Sequence, residues 1–375
     1  MRPLRILHVV ANRWWTGSAD PALDLARALG ERGHAVWFAC ARGDVLETHV
    51  REAGVPLVDG LSLERTARPW QLIGDISTLR RSLRELRIDL VHAHQTHDHW
   101  LAALARCGMA VRLVRTVHHR RAAHSGPAAR WLLRETDALI AVSAGIAGRL
   151  RAGGVPAARV SVVPGAVDVK RFAPDADGEA VRRELGLGDA PVAGCVARMV
   201  PGRGHDVLLR AAARLRQRLP AARLVLVGRG EHRAALEALV RELGLSSTVV
   251  FAGYRGPDLP AVLAALDCAV LLGVGSEESC RAVLEAMAVG RAVVAAPVGA
   301  VPEIVVDGET GWLVEPEPDA VAARLEAVLR DRAAARRLGG AARRRVETLF
   351  TPSRRAALVE AVYASVLAKE ALPRP

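Results

Sequence analysis

Apolar positions in this chain of 375 residues gather into short runs separated by longer amphipathic stretches. LRILHVVA (4–11), AVWFACA (35–41), DLVHAH (89–94), VRLVRTV (111–117) and ALIAV (138–142) have strand length and are mostly apolar, with helical periodicity between them. The pattern restarts with PVAGCVAR (191–198), RLVLVG (223–228), TVVFAG (248–253), CAVLLG (268–273) and AVVAA (292–296). Strands that are apolar throughout and alternate with helices predict parallel sheets covered on both faces. Two such sets predict two doubly wound α/β domains whose strand C-termini face a common cleft. The segment 164–191, rich in Pro, Gly and charge, is expected to connect them. After Asp319 the pattern is helical to the end, with a long last helix from about Pro352.

The hydrophobic share of 51% suffices for two cores and excludes a disordered chain. No apolar run reaches the roughly 18 residues that a spanning helix needs; the longest, around 259–275, is broken by Asp267. The N-terminal run is short, contains His8 and reads as a strand rather than a leader. Cys40, Cys107, Cys195, Cys268 and Cys280 are scattered without CxxC pairing, which implies free thiols in a reducing compartment. The net charge is +12, and all but Lys170 and Lys369 of the 52 basic residues are Arg. Such a balance suits phosphate-rich ligands, an anionic membrane surface or nucleic acid. Nucleic acid is disfavoured, because the chain has no recognition module and only 3% aromatics.

The chemistry concentrates in GSEESCRAVLEAMAVG, residues 275–290. Glu277 falls in a loop and Glu285 about two turns into the following helix, with Ser279 as the expected N-cap and Gly290 as the stop. Backbone N–H groups at Cys280, Arg281, Ala282 and Val283 suit a phosphate or sugar hydroxyls. By spacing alone, two Glu beside a helix usually form a solvated face. Arg198 ends a strand and Arg203 stands at a helix entrance, a pair able to hold a diphosphate. Gly228-Arg229-Gly230-Glu231 lacks the third Gly of a dinucleotide fingerprint, which argues against a nicotinamide enzyme. His92, His94, His97, Asp98 and His99 suggest metal ligands at first sight. His92 and His94 alternate along one strand, however, and hydrogen bonding near the cleft floor suits them better.

The acid, seven residues, acid spacing continues into LEAMAVGRAVVAAPVGAVPEIVVDGETGWLV, residues 284–314. This string resembles the donor-site motif of the family 4 retaining glycosyltransferases almost residue by residue. The resemblance implies the GT-B fold, two Rossmann-like domains facing a central cleft. Residues 1–170 would form the acceptor-side domain, with a C-terminal helix at about 352–371 returning to it, and 171–351 the donor domain. It implies that Glu285 binds the ribose of a nucleotide-diphosphate sugar and that Glu277 contacts the transferred sugar. Arg198, Arg203 and the N–H groups at Arg281–Val283 would hold the diphosphate, Gly228 would lie beside the nucleotide and Tyr254 near the base.

His118 stands where the family has a His that reaches the sugar or acceptor. Gly17 stands in a loop that usually carries two adjacent glycines approaching phosphate or acceptor. The chain departs from the family at Arg203, where Lys is usual, and at Glu278 and Cys280, where Gly is commonest.

The implied activity is transfer of a sugar, with retention, to a glycan, lipid-linked or cell-envelope acceptor. The acceptor would attack on the face that the leaving phosphate departs from, with that phosphate as base, and no metal or cofactor is expected. The implied place is the cytoplasm, with peripheral contact to an anionic membrane. A GT-B epimerase or phosphorylase, or a non-catalytic nucleotide- or sugar-binding protein, are alternatives; only a transferase forms a glycosylated acceptor.

Overall fold

The computed structural model describes residues 2–12, 18–64, 68–119, 126–275 and 278–368. Two compact units emerge, residues 1–165 with 352–375, and residues 166–351.

The first unit runs β1 (Arg5–Val10), α1 (Ala19–Glu31), β2 (Ala35–Cys40), α2 (Val45–Glu52), α3 (Pro69–Glu85), β3 (Leu90–Ala93), α4 (Thr96–Ala105), β4 (Arg112–Val117), α5 (Pro127–Arg134), β5 (Ala138–Ala141), α6 (Ala144–Ala152) and β6 (Val160–Val162). Its parallel sheet has the order β2-β1-β3-β4-β5-β6. Ile6, Val10, Leu90, Val114 and Ile140 point to one face, where Leu25 and Leu29 of α1 cover them. Leu7, Val9, Val91 and Leu113 point to the other, under Leu79 and Leu83 of α3 and Leu101 of α4. Burial on both faces is why these strands read as continuous apolar runs. The last helix of the chain, Pro352–Ala368, buries Ala356, Val359, Tyr363 and Val366 against the α1 face. His34 Nε2 lies 2.8 Å from Glu360 Oε1 and so ties that helix to the turn after α1.

The second unit runs α7 (Gly178–Glu184), β7 (Val192–Val196), α8 (His205–Arg218), β8 (Arg223–Val227), α9 (Arg233–Glu242), β9 (Val249–Gly253), α10 (Leu259–Ala264), β10 (Cys268–Leu271), α11 (Arg281–Ala288), β11 (Ala292–Ala295), α12 (Val301–Ile304), β12 (Trp312–Leu313), α13 (Pro318–Arg330) and α14 (Arg332–Leu349); the chain's last helix is α15. The order is β12-β11-β10-β7-β8-β9, again parallel. Val225, Val227, Leu271 and Val293 face α11 and α14, whereas Leu224, Leu226, Val270 and Val294 face α8 and α13.

The segment 164–191 is not a free connection. Val167, Phe172, Val181 and Leu187 are buried in the second unit's core, and α7 forms within the segment. Its polar composition belongs to the outward positions, which masks the four anchors. The short edge strands β6 and β12 carried no pattern of their own.

Candidate active site

The strand order marks the crevice where a ligand is expected. In the second sheet, β7 and β10 are neighbours whose following helices, α8 and α11, pack on opposite faces. The crevice beyond the C-terminal ends of such strands is where open α/β sheets bind ligands. The loops that leave β7 and β10 carry Arg198 and Arg203, and Gly275 and Cys280.

The β7–α8 loop is bolted in place by the turn after β8. Met199 N–H donates to the Arg229 carbonyl and His232 N–H to the Met199 carbonyl, both at 3.0 Å. A Cβ on Gly228 would lie 2.1 Å from the Ala197 carbonyl oxygen, so only glycine lets the two loops touch there. Within this loop the two arginines differ. Arg198 is exposed and lies 3.6 Å from Glu231, a surface pair of little energetic weight. Arg203 is half-buried against Gly275, and desolvation lowers its pKa. Its Nε has no hydrogen-bond partner among the described residues. A half-buried guanidinium with no carboxylate partner among the described residues is costly for the protein alone and is suited to an anion.

The N-cap of α11 is Cys280, not Ser279 as the sequence suggested. Cys280 has φ 54° and ψ 45°, a left-handed conformation that is strained for any residue with a Cβ. This is the physical reason that glycine suits the position. Here the thiol supports the turn instead, 3.5 Å from both the Glu278 and Val298 carbonyls. Val283 N–H donates to the Cys280 carbonyl at 2.9 Å, so that amide, expected to face the donor, is spent inside the turn. At the other end Gly290 and Arg291 N–H groups return to the Met287 and Ala286 carbonyls, closing the helix in a Schellman motif at the predicted glycine.

Glu285 is buried, and its Oε1 accepts from Arg281 Nε at 2.8 Å. The pair joins adjacent turns of α11, so Arg281 orients the carboxylate. Ala282 occupies the first turn of this helix. Tyr254, beyond β9, is 59% exposed, with the Arg229 guanidinium 4.8 Å from its ring centroid. Together they make a flat cationic platform beside Gly228. Glu277 and Gly17 lie outside the described residues.

In the first unit, His118 directly follows β4 and is buried. Its Nε2 lies 3.5 Å from His94 Nδ1, and His94 Nε2 lies 3.0 Å from His8 Nδ1. His92, paired in register with His8, spans Tyr363 Oη at 2.6 Å and Thr116 Oγ1 at 2.7 Å. Burial pushes His8 down to about 3 and holds His92 and His94 well below the ordinary imidazole range, so these rings are neutral.

Ligand atoms of His8, His92 and His94 lie within 4.8 Å of one another. Both His92 nitrogens are taken by hydroxyls, and the His92 and His94 rings stack rather than converge. The donor set fits a hydrogen-bonded core rather than a metal centre. His99 points elsewhere, between Arg115 and Thr136, and Asp98 caps α4. The histidine-rich stretch of the sequence therefore divides between two faces. Sequence reasoning missed His8, whose partners are more than eighty residues away.

Two family descriptions match the chain: "Glycosyltransferase Family 4" over residues 16–171 and "Glycosyl transferases group 1" over residues 177–345. A GDP-mannose-dependent alpha-(1-6)-phosphatidylinositol monomannoside mannosyltransferase of Mycolicibacterium smegmatis is 37% identical over 257 residues, which cover 65% of this chain and 67% of the relative. The protein of the same description from Mycobacterium tuberculosis is 31% identical over 337 residues, covering 85% and 86%. Among solved structures, a glycosyltransferase from Rickettsia africae superposes with a TM-score of 0.87 at 18% identity, covering 99% of this chain and all of that one. No helix among the described residues is long and apolar enough to cross a membrane. The chain thus belongs to family 4 of the glycosyltransferases, enzymes of the GT-B fold that carry a sugar with retention from a nucleotide-sugar donor to a glycan or lipid acceptor.

Proposed function

We propose that this enzyme uses GDP-mannose and transfers mannose to a phosphoinositol-containing glycolipid or a related cell-envelope glycan. The relatives' activities support the donor and acceptor class. The observation that carries the diphosphate assignment is Arg203, a half-buried cation whose buried Nε has no hydrogen-bond partner among the described residues, at the β7 and β10 switch point.

In this reading Arg203 and the exposed Arg198 grip the diphosphate. The first turn of α11 adds its dipole, and Glu285, oriented by Arg281, takes the ribose hydroxyls. The Arg229–Tyr254 platform stacks on the base. Glu277 contacts the transferred mannose, and His118 serves the sugar or acceptor from the first unit. The leaving phosphate accepts the acceptor's proton on the face it departs from. Charge growing on that phosphate is met by fixed guanidinium groups, so a metal is not required. The test is thermal stabilisation by GDP, UDP, ADP, TDP and CDP with EDTA present. A ligand at 100 times its Kd adds about 2.7 kcal/mol. Stabilisation by GDP alone supports the donor, and selective stabilisation by another nucleotide refutes it.

In this reading the enzyme meets a lipid acceptor at the inner face of a membrane. On α3, Trp70 is 68% and Ile73 63% exposed, and the exposed Arg81 and Arg84 continue along the same face at helical spacing. Aromatic and aliphatic side chains followed by guanidinium groups suit an anionic lipid surface. Co-sedimentation with phosphatidylglycerol vesicles but not phosphatidylcholine vesicles, reduced in W70A/I73A, is the expected result. Equal recovery without vesicles would refute it.

A further inference from the structure

The first sheet has its own switch point, between β1 and β3, whose following helices α1 and α4 lie on opposite faces. Two side chains from the start of α4 cross it. Asp98 Oδ2 accepts the Ala11 N–H at 3.1 Å, and Asp98 also accepts the Gln95 N–H, at 2.8 Å through Oδ1 and 3.0 Å through Oδ2. Gln95 Nε2 donates to Ser18 Oγ. Ala11 directly follows β1 and Ser18 directly precedes α1, so both ends of the β1–α1 connection are held from α4.

The chemistry of Asp98 is out of proportion to a packing role. The side chain is fully buried, with Arg115 of β4 supplying opposite charge nearby. Burying a carboxylate costs several kcal/mol after relaxation, and an apolar residue of the same volume often serves stability as well or better. What an apolar residue cannot do is hold two backbone N–H groups from different loops. Ser18 shows the same economy: it stands at the N-cap of α1, yet its hydroxyl makes no capping bond and meets Gln95 instead.

We infer that Gln95 and Asp98 are positioning residues that clamp the two ends of the β1–α1 connection, and so hold the mouth of the first unit's crevice in the geometry that sugar transfer needs. The inference rests on the proposed transferase activity. Neither side chain need touch substrate, and their effect passes through Ala11 and Ser18.

The full-length enzyme and the variants D98A, D98N and S18A test it. Transfer is followed from GDP-mannose to phosphatidylinositol monomannoside in mixed vesicles, and hydrogen exchange is followed at the Ala11 amide. In D98A, kcat should fall about tenfold to a hundredfold, as for a misplaced reacting group, and the Ala11 amide should exchange faster. Stabilisation by GDP should survive, because the nucleotide groups lie in the second unit. D98N keeps an oxygen for the Ala11 N–H and should recover most of both readouts. S18A, a small change that leaves the fold intact, should lower kcat by about two- to tenfold, the worth of one hydrogen bond.

Wild-type kcat in both D98A and S18A would overturn the inference. So would a D98A defect that D98N does not relieve and that accompanies loss of the cooperative melt. A wild-type enzyme that transfers no sugar would refute the proposed function instead. Faster Ala11 exchange in D98A would then still support the clamp, and unchanged exchange would refute it.

Discussion

Gly275 offers a way to displace Arg203 without touching its charge. An ideal Cβ on Gly275 would sit 1.7 Å from Arg203 Nη1 and 2.7 Å from Cζ, whereas real Cβ atoms essentially never approach within 3.0 Å. Gly275 does not occupy the left-handed region, so Gly275→Ala adds no backbone strain, and the conflict is steric alone. The guanidinium has to retreat by about 1.3 Å, beyond the tolerance of a good hydrogen bond. A hydrogen bond to a charged group is worth about 1.5–3 kcal/mol, which corresponds to about a ten- to 150-fold loss in kcat/KM. The melting temperature should hardly move, since the head group of Arg203 has no other bonding partner for its Nε among the described residues.

The assay is kcat/KM for mannosyl transfer from GDP-mannose, in a double-mutant cycle with Arg203→Ala. If both substitutions act through the same guanidinium, G275A on the R203A background should cost no more than about 0.5 kcal/mol. Full additivity of the two losses, or a G275A enzyme with wild-type kcat/KM, would refute the placement of Arg203 on the diphosphate.

Glu285→Ala should abolish the thermal shift by GDP, and a retained shift would remove Glu285 from the ribose. Tyr254→Ala should weaken GDP binding by about two- to fivefold through loss of the cationic platform, measured by titration calorimetry, with little change in stability because the ring is exposed. Asp98 makes a pH prediction: burial pushes its carboxyl up to about 7 from 3.8. A folded-state pKa above the unfolded one means stability that is present below about pH 4 and lost as pH rises through 7. The change is of order 4 kcal/mol, at 1.36 kcal/mol per unit. The urea midpoint of D98N should therefore gain on wild type between pH 4 and 7 and then run parallel. An equal midpoint difference across that range would contradict the buried-carboxyl reading. Gly230→Ala would bring a Cβ to 2.0 Å from the Met199 carbonyl oxygen; backbone has to shift, so stability should fall by about 1–3 kcal/mol, seen as a lower melting temperature.

The sequence by itself determined the repeated strand–helix alternation, because strands buried on both faces must be apolar along their whole length. Ten runs sufficed for ten of the twelve strands, and the C-terminal helices followed from periodicity. The helix around Glu285 was equally legible, since its apolar positions and the glycine stop of α11 lie within one element. Tertiary structure decided the rest. The left-handed turn at Cys280 depends on the thiol meeting the Val298 carbonyl, eighteen residues on. The half-buried state of Arg203 depends on Gly275, and the neutral histidines on His8 standing in register with His92. Asp98 read as a member of a histidine-rich stretch, but its partner Ala11 lies across the β1–β3 switch point. Periodicity reports that a position is buried or exposed within its own element. It carries no information about which distant backbone or side chain arrives opposite, and that arrival sets charge state, strain and the use of each polar group.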